Sequence, residues 1–340
     1  MKILAVCGAN GSWLYPLKEW LVGNYEPRSI YHTPKEVQWK SNFPKIPIWD
    51  KKTYGNHHIG EVNMIVGAPN CGHSSILALS NSKFRDAKDD ESFRAFFSEV
   101  QNHQPEVFIM ENLPKSAKNA EELASELGYY TIGLNISMFE LGNSQKNRKR
   151  YIMVGVNMGL PNYKKIAKKL TRVKMMAEHK TAGELIKGLA FEKTLDINLG
   201  HIRESLDDIV TIYGGKKITL MEARQYWRDN PEAKRFDAEN RKYTNAPGVY
   251  RNLKDEYPAV ARKADRQFNH LGYQMSPREL ARIQGIPDGF KIHFPLDISD
   301  KKVRNYWINK GRVTATKCPP YEFGAWIADR VRALLASKLL

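Results

Sequence analysis

A chain of 340 residues with 42% hydrophobic content can bury a sizeable core, and no apolar run reaches the length of a membrane span. The opening MKILAVCGANG is too short and too soon broken by glycine for a secretory signal, so a cytoplasmic, non-membrane protein is expected. Lys and Arg number 53 against 37 Asp and Glu, and the resulting net charge of +16 makes nucleic acid the leading partner class. Cys7, Cys71 and Cys318 lie far apart and form no Cys-x-x-Cys pair, a sparse set that suits a reducing compartment. Neither a disulfide framework nor a metal site is expected from them.

In chain order, KILAVCG (2–8) reads as a strand and SWLYPLKEWLVG (12–23) as a helix with apolar residues at helical spacing. PKEVQWKSNF (34–43) is a helix, VNMIVGAP (62–69) a strand, DESFRAFFSEVQNH (90–103) a helix and EVFIMEN (106–112) a strand. SAKNAEELASELGYY (116–130) is a further helix, capped by Ser116 or Asn119 and stopped at Gly128. TIGLNIS and RYIMVGVN supply two more strands. Strand and helix in alternation predict an α/β fold with a doubly wound, mostly parallel sheet, whose ligands sit at the carboxyl ends of the strands.

After about residue 160 the alternation dissolves. YKKIAKKLTRVK (163–174) carries six basic residues in twelve, either a solvated helix face or a phosphate-contacting arm. Residues 190–268 are polar, basic and weakly periodic, with aromatics among the arginines and lysines, as a groove-binding surface needs. Helical patterning returns at SPRELARIQG (276–285) and in PPYEFGAWIADRVRALLASKLL (319–340). The expected division is therefore 1–185, a smaller irregular unit over 186–270, and a returning segment over 271–340.

Three groups collect at the predicted strand ends. Cys71 follows the apolar run MIVGAPN and is either a nucleophile or a small core hydrophobe. FIMEN delivers Glu111 and Asn112 to the same sheet edge. Arg148 and Arg150, two apart and so on one side of an extended segment, precede another strand.

These residues, in this order, resemble the cytosine-5 DNA methyltransferase family. The family's Gly-Gly-Pro-Pro-Cys-Gln-x-Phe-Ser loop aligns without gaps on GAPNCGHSS (67–75), its Glu-Asn-Val on ENL, and its Arg-x-Arg on RKR (148–150). Its late motif, Leu-Thr-x-Arg-Glu-x-Ala-Arg-x-Gln-x-x-Pro-Asp, is close to MSPRELARIQGIPD (275–288). Its Gly-Asn-x-Val-Pro-Pro resembles ATKCPP (315–320), and QWKSNFP (38–44) resembles the segment after its second strand.

The resemblance implies a Rossmann-like, class I methyltransferase sheet, with the 186–270 unit recognising double-stranded DNA and the chain acting as a monomer. It makes Cys71 the thiolate that adds to carbon 6 of a flipped-out cytosine, which renders carbon 5 nucleophilic toward S-adenosylmethionine. Glu111 would hold the amino group and ring nitrogen 3, while Arg148 and, after it, Arg150 would contact the base carbonyl or a phosphate. Asn70, Asn112 and Ser75 fall beside the base. Val6, Gly8, Asn10, Gly11, Asp50, Pro69, Ala315 and Thr316 fall on the cofactor.

The cofactor side departs from the pattern. Phe-x-Gly-x-Gly-Gly meets VCGANG (6–11), Ala315-Thr316 replace Gly-Asn, and Asn70 and Gly72 replace a proline and a glutamine. The acid expected at the end of the second strand has no clear counterpart, because Glu26 is displaced by four residues. Three alternatives to plain DNA methylation therefore stay open. They are transfer of a modified one-carbon group from an altered donor, a non-catalytic DNA-binding role, and methylation of RNA.

Overall fold

The computed structural model describes residues 1–28, 30, 34–55, 59–70, 90–145, 148–173, 180, 184–185, 189, 209–211, 216–230, 276–292, 303 and 319–337. Seven strands form one sheet: β1 (Ile3–Val6), β2 (Leu21–Glu26), β3 (Ile48–Asp50), β4 (Met64–Gly67), β5 (Val107–Asn112), β6 (Tyr129–Ser137) and β7 (Lys149–Asn157). Their order is β3-β2-β1-β4-β5-β7-β6, and β7 alone runs against the others. The expected α/β sheet, mostly parallel, is the one the chain forms.

Alternation along each strand splits the core in two. Ile3, Ala5, Met64, Val66, Val107, Ile109, Ile152 and Val154 face one layer. It is closed by α5 (Tyr163–Leu170), α7 (Pro277–Ile283) and α8 (Tyr321–Ala336). Leu4, Val6, Ile65, Phe108, Met110, Tyr151 and Met153 face the other. There α3 (Glu91–His103) presents Phe93, Phe96, Phe97 and Val100, and α4 (Ala117–Glu126) adds Ala120 and Ala124.

Two expectations fail near the N-terminus. The helix over 12–23 is only a 3-10 turn, Ser12–Leu17, entered through Gly11 at φ 82° and containing Pro16. A proline cannot donate the next helical bond, and the Ile3 amide takes the Trp20 carbonyl, which draws the chain directly into β2. The strand β2 itself was hidden because LVGNYE lacks clean alternation; its parallel pairing with β1 and β3 decides the matter. Gly23 is needed there, since a Cβ would lie 1.9 Å from the Trp49 ring. Short β3 and the single turn α2 (Lys51–Tyr54) were likewise invisible to periodicity.

Apart from β3 and α2, the described elements between 34 and 170 follow the pattern, with α1 at Pro34–Asn42 and Gly128 at φ 81° after α4. Ser116 precedes α4, but its hydroxyl donates back to the Leu113 carbonyl and caps nothing. Residues 163–170 form a helix that buries Ile166, Ala167 and Leu170 and turns Lys164, Lys165 and Lys168 to solvent. Of the irregular unit, a two-stranded ladder of β8 (Ile209–Thr211) and β9 (Lys217–Thr219) is described, followed by α6 (Leu220–Asp229). The rest of 190–268 lies outside the described residues. None of the described helices is long and apolar enough to cross a membrane.

Candidate active site

The carboxyl ends of β1, β4 and β5 and the start of antiparallel β7 share one sheet edge. From β4 the chain runs through Ala68 and Pro69 to Asn70 and is held from two sides. Asn112 donates its side-chain amide to the Pro69 carbonyl at 3.3 Å. The Asn70 amide N–H donates to Ser92 Oγ at 2.8 Å, and its side chain to Asp90 Oδ2 at 3.4 Å. Cys71 follows directly in sequence. Cys71, Ser75, Ala315 and Thr316 lie outside the described residues.

Beside that loop, β5 ends in Glu111 and Asn112, with Glu111 6% exposed. Alternation puts Glu111 and Arg150 on the same face, and Glu111 opposes Ile152 in the register. Arg150 Nε lies 2.7 Å from Glu111 Oε1. Arg148 goes elsewhere: it is buried, and its Nη1 donates to Gln145 Oε1 at 3.3 Å. Gln145 in turn donates to Gln284 Oε1 at 2.8 Å, just past α7. The structure thus brings Arg150, the less favoured of the pair from sequence, to the carboxylate, and uses Arg148 to tie the edge to the late motif.

That motif is itself locally determined. Ser276 and Glu279 exchange a capping box at the start of α7, with Pro277 at its first position. Asn143 bridges the loop before β7 to both the Ile283 carbonyl (3.3 Å) and Glu322 Oε2 (2.9 Å). Desolvation pushes the Glu322 carboxyl up to about 7, against its bond from Asn143 and the nearby charges of Arg148 and Lys180.

At the other end of the edge, Val6 closes β1 and the chain turns through Gly8 and Gly11. The Gly8 amide donates to Asn24 Oδ1 at 3.1 Å, and the Asn10 side chain accepts from Ser12. Glu26, for which sequence alignment found no clear place, stands at the end of β2 and is 3% exposed. It accepts from the Ala9 amide at 2.9 Å, and Lys35 Nζ lies 2.7 Å from its second oxygen. The connection to the NFP segment is four residues longer than the family's, which is why counting missed it. The signal available was an acid closing the short run LVGNYE.

Asp50 ends β3 and caps α2. Burial works to raise its carboxyl, but bonds from Ile30, Thr53 and Lys52 outweigh that and hold it below the usual range. A glycine turn flanked by two strand-end acids fits a nucleoside cofactor: Glu26 offers acceptors for ribose hydroxyls, with Lys35 as a competing cation among the described residues. Cys7, in the same turn, is no rival nucleophile. Burial, aided by the Glu26 charge, drives its thiol well above the ordinary value.

The strand order, the glycine turn and the loaded edge define a class I methyltransferase-type fold. The family model described as C-5 cytosine-specific DNA methylase matches residues 35–303. The chain belongs to that family, whose members use S-adenosylmethionine. A sequence search of curated proteins returns no match.

Solved structures resemble it along nearly the whole chain. A protein described as a DNA modification methyltransferase encoded within an E. coli prophage has a TM-score of 0.61 at 17% identity, with 99% of each chain covered. The Entamoeba histolytica methyltransferase EhMeth gives 0.58 at 10% identity, with 100% of this chain and 99% of that one covered. The S. pombe Dnmt2 methyltransferase gives 0.55 at 12% identity, covering 98% and 99%. At such identities the likeness is one of fold.

Proposed function

We propose that the protein methylates carbon 5 of cytosine in double-stranded DNA, with Cys71 as nucleophile and Glu111 as the group that holds the base. The observation that carries this reading is the edge itself. The loop entering Cys71 is hydrogen-bonded to Asn112, next to Glu111, and Arg150 fixes the Glu111 carboxylate at 2.7 Å.

The Cys71 thiolate adds to carbon 6 of the flipped cytosine, and the ring electrons move to carbon 5. Glu111 binds the exocyclic amino group and carries a proton to and from ring nitrogen 3 as charge develops there. Arg150 keeps the Glu111 carboxylate in register with β7. S-adenosylmethionine, when bound, supplies the methyl group; Glu26 and the Gly8–Gly11 turn would hold its nucleoside part. After transfer a water takes the carbon-5 proton, the electrons of that C–H bond re-form the carbon 5–carbon 6 double bond, and the carbon 6–sulfur bond breaks to return the Cys71 thiolate. The 186–270 unit is the part assigned to grip the duplex, supported by its aromatics interleaved with arginines and lysines.

Nucleoside mass spectrometry on cells expressing the chain, beside its Cys71→Ser form, tests the reading. A 5-methylcytosine gain in DNA, absent from the variant, is expected. A different added mass would move the proposal to an altered donor. A gain confined to RNA would move it to another substrate, and no gain in either would leave a binding role.

A further inference from the structure

The residue before Cys71 is restrained in a way its own identity makes necessary. Where the family's loop has Pro-Pro before the cysteine, this chain has Pro69-Asn70. A proline fixes φ and carries no backbone N–H. Asn70 leaves φ free and adds a main-chain and a side-chain donor. Both are taken up at the start of α3, by Ser92 Oγ and Asp90 Oδ2.

Those acceptors are rigid although Asn70 is exposed. Ser92 and Asp90 are 5% and 2% exposed. The Ser92 hydroxyl donates to Asp90 Oδ1, which also accepts the N–H groups of Ser92 (2.8 Å) and Phe93 (3.2 Å) as the cap of α3. Arg28 Nη2 stands 3.9 Å from the other Asp90 oxygen. Asn70 is therefore moored to a helix end that is fixed by its own cap.

We propose that Ser92 and Asp90 are positioning residues for the nucleophile, supplying through Asn70 the backbone restraint that a proline supplies covalently in the family's loop. The inference rests on the reading of Cys71 given above. Attack at carbon 6 tolerates little misplacement of the sulfur, so freeing the preceding residue slows the addition and leaves DNA affinity alone.

The test uses the full chain with S-adenosylmethionine and a long duplex whose cytosines are replaced by 5-fluorocytosine, so that any recognition sequence is present. The rate of covalent adduct formation and the affinity for the same duplex are both measured. Ser92→Ala is expected to form adduct about fivefold more slowly at unchanged affinity, the scale of one lost hydrogen bond. Ser92→Thr, which keeps the hydroxyl, is expected to retain the parent rate. Adding Asn70→Pro to Ser92→Ala should return the rate to within about twofold of the parent.

Adduct formation by Ser92→Ala at the parent rate overturns the inference, as does a slow rate that the proline fails to recover. If Ser92→Ala does not fold, Asn70→Ala removes the side-chain arm alone. About twofold slowing is then expected, and none overturns the inference. A parent that forms no adduct removes the Cys71 reading and this inference together, an outcome distinct from an active parent with an indifferent Ser92.

Discussion

Glu111 and Arg150 meet diagonally across β5 and β7, and that geometry assigns them unequal roles. Glu111 touches the base in the proposed reaction, so Glu111→Gln is expected to lower kcat by about a hundredfold or more, the scale of lost proton transfer. Arg150→Ala removes only the restraint on the carboxylate, and about tenfold is expected. Tritium transfer at saturating S-adenosylmethionine measures both, and a thermal melt checks that the fold survives. At the cofactor end, Glu26→Gln should weaken S-adenosylmethionine binding about tenfold in equilibrium dialysis, by weakening charged acceptors at the ribose. Unchanged affinity would mean that Lys35 and the Ala9 amide monopolise the carboxylate. Part of this was legible in the chain, since Glu111 closes an apolar run. Which arginine reaches Glu111 was not legible. Gln284, 139 residues from Gln145, helps decide it by helping to hold Arg148, and no local pattern carries such a contact.

Elements of ordinary length obeyed the sequence, and the short ones did not. Helices α1, α3, α7 and α8 came out where the sequence pattern placed them, and each buries apolar residues in one of the two core layers. The segments β2, β3 and α2 are three to six residues long, below what periodicity resolves, and exist because neighbours complete their hydrogen bonds. Helix α7 shows how a local signal serves a remote need, since its capping box opens the helix that ends at Gln284, the residue that accepts from Gln145. Ser276→Ala should cost about 1 kcal/mol in urea unfolding, the worth of a cap. The joint between α7, α8 and the Asn143 loop should also respond to pH through Glu322. Between its ordinary value of 4.5 and about 7, the folded chain keeps a proton that the unfolded chain has released. Its contribution to stability is therefore full below 4.5, declines as pH rises through that window, and is level above about 7. Glu322→Gln should flatten that decline when unfolding free energy is followed against pH; an identical slope in parent and variant would show that Glu322 does not titrate there.

Across the whole molecule the charge of +16 must be located before it explains anything. A protein that displaces counterions from about six phosphates loses affinity with a log–log salt slope of about −5, and a slope of that size is expected for duplex binding here. The dense basic run in the described structure, on α5, is not expected to contribute. Strand β7 starts at the loaded edge with Lys149 and ends at the far edge with Asn157, nine residues or about 30 Å away. Helix α5 begins six residues later and is eight residues long, so it spans only about 12 Å. Lys164, Lys165 and Lys168 are thus separated from the edge by more than the screening length of about 8 Å at physiological salt. Their apolar neighbours Ile166, Ala167 and Leu170 explain the helix, and the lysines keep its outer face in water. Replacing the three with glutamine should leave both affinity and salt slope as in the parent, measured by fluorescence anisotropy from 50 to about 200 mM salt. A slope shallower by about 3 would instead put α5 against phosphate, and the duplex would then have to wrap from the catalytic edge across the face of the sheet.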